Sequence, residues 1–162
     1  MNLLTTIPVV LALLGSALIA GVFFAFSNFI MQALARLPAP AGIAAMQAIN
    51  VTVLNPLFLG TFMGTAAISA LIVVLVVLNL STPGAYWYLA GAVLYIAGTF
   101  MVTVGGNVPL NNKLADVPAD QQEAVPVWEH YLRRWTMFNT VRTVAATAAV
   151  LAFTTGLMER AG

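Results

Sequence analysis

The sequence predicts an all-α integral membrane protein, a four-helix bundle with a helical, polar loop between its third and fourth spans. Three observations carry this. Hydrophobic residues fill 61% of the 162 positions and charged residues only 7%, against about 25% charged in soluble domains. A soluble domain of this size could not hide that much apolar surface. Four stretches reach the roughly 20 mostly apolar residues that cross a hydrocarbon core. They are continuous and helical in character, unlike the short alternating segments of a membrane β-barrel.

The spans are predicted at about 7–31, 57–80, 86–105 and 135–158, forming a single transmembrane domain over residues 1–162. The first carries no charge. It does not read as a cleaved signal peptide, because no Lys or Arg precedes it and the apolar run continues past Ala20. "AGIAAMQAINVTVLNP" before the second span is helical but half-polar, with Gln47, Asn50 and Leu54 on one face. Pro56 has no N–H and biases Asn55 away from the α region, which predicts a break there. Pro83-Gly84 punctuates a tight turn between the second and third spans. Gly105-Gly106 and Pro109 are expected to stop the third helix. The connection from Asn107 to Arg134 holds most of the charge, with a helix expected from near Asp120 into the fourth span around His130.

Lys and Arg set the expected orientation. The first and third connections carry Arg36, Lys113, Arg133 and Arg134, and the opposite side only Arg160. Basic residues stay cytoplasmic. The expectation is a bacterial inner membrane with both termini outside the cytoplasm.

Polar residues gather at one end of the bundle. They are Ser27, Asn28 and Gln32 on the first span, Gln47, Asn50 and Asn55 before the second, and Asn107, Asn111 and Asn112 after the third. On the fourth, Trp135, Asn139 and Arg142 form one stripe at i, i+4 and i+7. The other ends hold Gly, Ala, Val, Leu and scattered Thr. Arg142 lies about 10 Å beyond Trp135 along the helix. A central arginine costs about 2.5–3.5 kcal/mol, so it should face the bundle and be paired. No carboxylate lies at its depth, which leaves neutral partners or a ligand. It reads as a structural tie between helices, as a holder of an anionic or enolate oxygen, or as a lipid headgroup contact.

Several function classes drop out. A net charge of +1 makes no case for nucleic acid. With no cysteine and one histidine, copper, zinc and iron–sulfur sites lack ligands, and Glu-x-x-His pairs for a di-iron bundle do not occur. His130 could serve as a haem ligand, as a general base, or as an interfacial histidine with no special role. Transport is disfavoured by the lack of a membrane carboxylate and of an inverted repeat. Gly60 and Gly64 read as a helix-packing G-x-x-x-G. Phe23, Phe24, Phe26 and Phe29 read as core or lipid contact, or as the wall of a flat pocket. Tyr86, Trp87 and Tyr88 read as an interfacial belt.

"GNVPLNNKLA" followed by "W…RRWTMFNTVRT" resembles the paired signature of the anthrone oxygenase-like family of small four-span membrane proteins. "FFAFSNFIMQAL" and "AMQAINVTVLNPLF" are similar to that family's first and second segments. The resemblance places signature positions at Asn107, Pro109, Asn111, Trp135, Asn139 and Arg142. Fungal relatives oxidise anthrones to anthraquinones without metal or flavin, so it implies no cofactor and a hydrophobic small molecule with dioxygen as reactants. Arg142, Asn139 and His130 are then the candidate catalytic residues, with Glu129 as another base. Asn107, Asn111, Trp135, Asn50, Gln47 and Asn28 are the candidate substrate-binding residues. The rival reading is a non-catalytic membrane protein that binds a lipid, quinone or partner subunit at the polar end. A homo-oligomer is compatible with either.

Overall fold

The computed structural model describes residues 3–121 and 123–161. Four helices in it are long and apolar enough to cross a membrane, and this is the helical bundle of an integral membrane protein. The first is α1 (Leu3–Ala25), which runs through a π-helical segment π1 (Phe26–Ile30) into α2 (Met31–Ala35). A short helix, α3 (Ala39–Thr52), follows, and α4 (Pro56–Val77) is the second span. The third consists of α5 (Ala85–Val93), π2 (Leu94–Met101), π3 (Thr103–Asn107) and α6 (Val108–Ala115). The fourth is α7 (Ala124–Ala161).

The spans form a ring in which α1 packs on α4 and α7, while α5 and π2 pack on the same two helices. Pairings along the helices run in opposite directions. Tyr88, Tyr95 and Thr99 on the third span reach Gly156, Phe62 and Arg142 in turn, so the topology is up-down-up-down. The outward face is apolar, with Leu14, Leu18, Val74, Val144 and Leu151 among its exposed residues. That is the surface a bilayer accepts and water does not.

Two apolar clusters fill the interior. The larger joins Val9, Ile19, Phe62, Ile72, Val76, Tyr88, Tyr95 and Phe153 across all four spans. The second gathers Met31, Leu34, Ile43, Met46, Leu114, Trp128, Tyr131 and Trp135, where α3 caps the end of the bundle against α2, α6 and α7.

Local chemistry explains the breaks. Asn55 caps α4 by accepting the Phe58 N–H at 3.0 Å, and Pro56 occupies the first helical position, where no N–H is needed. Gly84 takes φ 79°, and the Gly156 carbonyl would lie against any Cβ placed there. This meets both demands of the turn.

The third span departs from expectation. Gly105, Gly106 and Pro109 do not stop the helix, which continues to Ala115. The turn before Pro109 is widened instead, with the Val108 N–H bonded to the Thr103 carbonyl five residues back. A π-turn relaxes the clash between the proline ring and the preceding carbonyls and absorbs the missing N–H. The fourth helix begins at Ala124, beyond the expected start near Asp120, and reduces the charged connection to 116–123.

Candidate functional site

Between the two apolar clusters lies a layer of polar side chains centred on Arg142, only 4% exposed. Its Nη2 donates to Asn139 Oδ1 at 2.7 Å and its Nη1 to Thr103 Oγ1 at 3.1 Å. The guanidinium carbon sits 3.9 Å from the Phe23 ring centroid and 5.3 Å from that of Trp135. The cation thus lies close to two π systems, which attract it most when water is excluded. A guanidinium has five N–H donors. Here Nε is buried without a hydrogen-bond partner. Arg142 is held in place but not saturated.

The π-turns make this geometry. Phe26–Ile30 begins three residues after Phe23, and the Phe23 carbonyl accepts Asn139 Nδ2 at 2.7 Å. The same Nδ2 reaches Ser27 Oγ at 2.7 Å, and Ser27 in turn meets Thr140 at 3.0 Å. Asn139 therefore spends its amide on α1 and π1 and its oxygen on Arg142. Thr103 opens π3, which brings the third span to the arginine. π-bulges are frequent at functional sites because they re-aim side chains without ending a helix.

The remaining asparagines divide by role. Asn107 is 1% exposed, donates to the Trp135 carbonyl at 3.1 Å, and leaves Oδ1 buried without a partner. Asn111 Oδ1 accepts from Trp135 Nε1 and from the Tyr131 hydroxyl, each at 2.8 Å. Asn50 Nδ2 reaches Tyr131 Oη at 3.4 Å. Gln47 donates to the Leu114 and Val117 carbonyls at 2.9 and 3.0 Å, tying α3 to the end of α6.

Arg142, Trp135, Asn111 and Asn50 all line one cavity of about 300 Å³. Phe23, Phe26, Phe58, Phe62 and Phe100 form its aromatic wall. Thr103 completes the polar lining. Leu54, Met63 and Val104 belong to the lining and are also exposed on the outer face. The mouth therefore opens sideways between the second and third spans, where a bilayer would lie. A second, more polar pocket of about 400 Å³, lined by Gln47, Asn50, Asn111 and Asn112, shares Asn50 and Asn111 with the first.

Not every candidate arrives. Asn28 and Gln32 are exposed, because the widened turn rotates Ser27 inward in their place. His130 and Glu129 are exposed on α7 and line neither pocket. Phe24 and Phe29 face outward. Among the described residues, nothing beyond the helix's own nearby backbone lies within 4 Å of a Cβ at Gly60 or Gly64, so no other described helix packs on that pair. Tyr88 is no belt residue: it is fully buried and donates to the Gly156 carbonyl at 3.0 Å. Sequence reasoning missed Tyr131 and Thr103. Extending the Trp135–Asn139–Arg142 stripe one turn back would have found Tyr131, whereas Thr103 had no local signal. Among the described residues no three His, Cys, Asp or Glu side chains gather as metal ligands would.

No curated protein and no solved structure matches the chain. The family model for anthrone oxygenase matches residues 55–152, more than half of it. That stretch contains Thr103, Asn107, Asn111, Tyr131, Trp135, Asn139 and Arg142, while Phe23, Ser27 and Asn50 lie before it. By this match, the chain belongs to the anthrone oxygenase family.

Proposed function

We propose that the protein is a membrane-embedded, cofactor-independent oxygenase of an anthrone-like or polyketide-like aromatic molecule. The observation that carries this reading is Arg142, an under-saturated guanidinium set in the wall of an apolar, aromatic-lined cavity. The cavity volume falls at the small end of the range for ligand sites, about 300–1,000 Å³. A flat tricyclic ketone slides between the phenylalanines from the lipid side and places its oxygen against Arg142.

In an anthrone the methylene opposite the ketone loses a proton to give an enolate. Arg142, with its orientation fixed by Asn139 and Thr103, stabilises the enolate oxygen as preorganised donors do in a water-poor site. The cavity lining holds no carboxylate or imidazole, so His130 has no part in this reading. The proton leaves to water in the adjoining polar pocket, past Asn50 and Asn111. The electron-rich carbon then passes one electron to dioxygen, and the radical pair combines as a peroxide. A proton returns from the polar pocket to the peroxide anion, and loss of water then turns the methylene into a carbonyl. One oxygen atom ends in the quinone and the other in water. With Lys113, Arg133 and Arg134 kept on the cytoplasmic side of a bacterial inner membrane, the polar end faces the cytoplasm.

Purified, metal-stripped protein incubated with emodin anthrone under oxygen should form one quinone per dioxygen consumed, above the spontaneous rate. Binding of the anthrone without added quinone formation would leave the chain as a non-catalytic binder of apolar molecules.

A further inference from the structure

The polar end contains a relay whose direction is set by one atom. An indole N–H can only donate, and Trp135 Nε1 lies 2.8 Å from one amide atom of Asn111, which must therefore be the oxygen. Tyr131 meets the same oxygen at 2.8 Å, so its hydroxyl donates there. With its proton spent, Tyr131 Oη can only accept from Asn50, which must turn its Nδ2 toward it. The consequence falls on the other two amide atoms. Asn111 is left with Nδ2 as a donor and Asn50 with Oδ1 as an acceptor. Neither atom has a protein partner among the described residues, and both residues line the cavity and the polar pocket beside it.

A donor and an acceptor presented together suit a group that can do both. The geometry points to Asn50 and Asn111 as a pair that reads an aromatic hydroxyl on the ligand, remote from the oxygen held by Arg142. Trp135 fixes the polarity of Asn111, and Tyr131 is the positioning residue that passes it on to Asn50. A hydroxyl accepts from Asn111 and donates to Asn50. An ether oxygen satisfies only the first and an aryl amine only the second, which leaves a desolvated amide atom unpaired. This rests on the proposed function only in taking the cavity as the seat of a flat oxygenated aromatic. It does not require turnover.

The test uses the full chain in lipid nanodiscs and the non-oxidisable probes 2-hydroxy-, 2-methoxy- and 2-aminoanthraquinone, with anthraquinone as reference. Affinity is read from quenching of tryptophan fluorescence. The hydroxyl compound should bind about tenfold more tightly than the ether or the amine, the size of one net hydrogen bond. In Tyr131→Phe the Trp135 indole still fixes Asn111 but Asn50 is free to flip, and the preference over the ether should shrink to about twofold while anthraquinone affinity stays unchanged. A merely structural tyrosine would weaken all four probes together. Asn111→Leu should remove the preference as well, and serves if the tyrosine variant does not fold. Equal affinities in the unmodified protein, no binding of any probe, or a preference that survives Asn111→Leu would each overturn the assignment. Loss of anthrone turnover with the preference intact would instead sink the oxygenase reading alone.

Discussion

The two ends of this bundle are built on opposite principles. At the end holding the turn at Gly84, helices approach through glycine. A Cβ at Gly91 would meet the Phe153 ring at 2.8 Å, and one at Gly156 would meet Tyr88 at 2.6 Å. Small residues at such interfaces let helices gain van der Waals contact, the main attraction between them where lipid is as apolar as the core. At the other end the first and third spans widen into π-turns, a cavity opens, and buried asparagines, tyrosine, tryptophan and arginine bond one another. Around the cavity directional bonds take the place of packing, while Gly42 and Gly106 still let Trp128 and Phe138 approach closely. The difference teaches that the polar end is held by geometry that a ligand can complete, whereas the tight end is held by close helix contact.

Arg142→Lys should expose that contrast most strongly. It keeps the charge but loses the planar fork that reaches Asn139 and Thr103 together. Turnover should fall about 10²–10³-fold, as for loss of one preorganised donor, with melting of the detergent-solubilised protein little changed. A large melting drop with normal activity per folded molecule would make the arginine a helix tie. The contrast between the ends would then fail.

Gly84→Ala probes the tight end. Its φ of 79° and the neighbouring Gly156 carbonyl both oppose a side chain. The expected loss is about 3 kcal/mol of stability, seen as a lower melting temperature with unchanged probe affinity in the folded fraction. Weakened affinity at normal melting would show that the two ends are not separable.

Gln47→Ala separates structure from site within the polar end. Losing two bonds to the Leu114 and Val117 carbonyls should cost about 1–2 kcal/mol. Ligand affinity measured well below the melting temperature should not move. A selective loss of affinity would place Gln47 with the ligand-facing amides.

The smallest effect is expected at His130. Because it is exposed on α7 and outside the cavity, His130→Ala should leave turnover within about twofold, a surface change of no more than about 0.5 kcal/mol. A tenfold fall in initial rate would return the histidine to the chemistry.

How much of this was legible varied by residue. The stripe Trp135, Asn139, Arg142 was readable because 3.6-residue periodicity puts i, i+4 and i+7 on one face, and these side chains do turn inward together. The same arithmetic failed for Asn28 and Gln32. A π-turn inserts a residue and shifts the face by about 100°, a register change that propensity does not announce. His130 was attractive for its chemistry alone. Its neighbours on α7 decide that it looks outward.

By itself, the sequence determined the class of solvent, the number of spans, the break at Asn55-Pro56 and which end is polar. Each depends on composition or on local backbone chemistry, and so needs no knowledge of distant residues. Only the tertiary structure decided that Gly105, Gly106 and Pro109 widen a helix that continues to Ala115. Only it brought Phe23 from the first span and Thr103 from the third to Arg142 on the fourth. The physical reason is that a buried cation without a carboxylate must take its partners from whichever helices pack around it. Those helices meet only when the bundle closes.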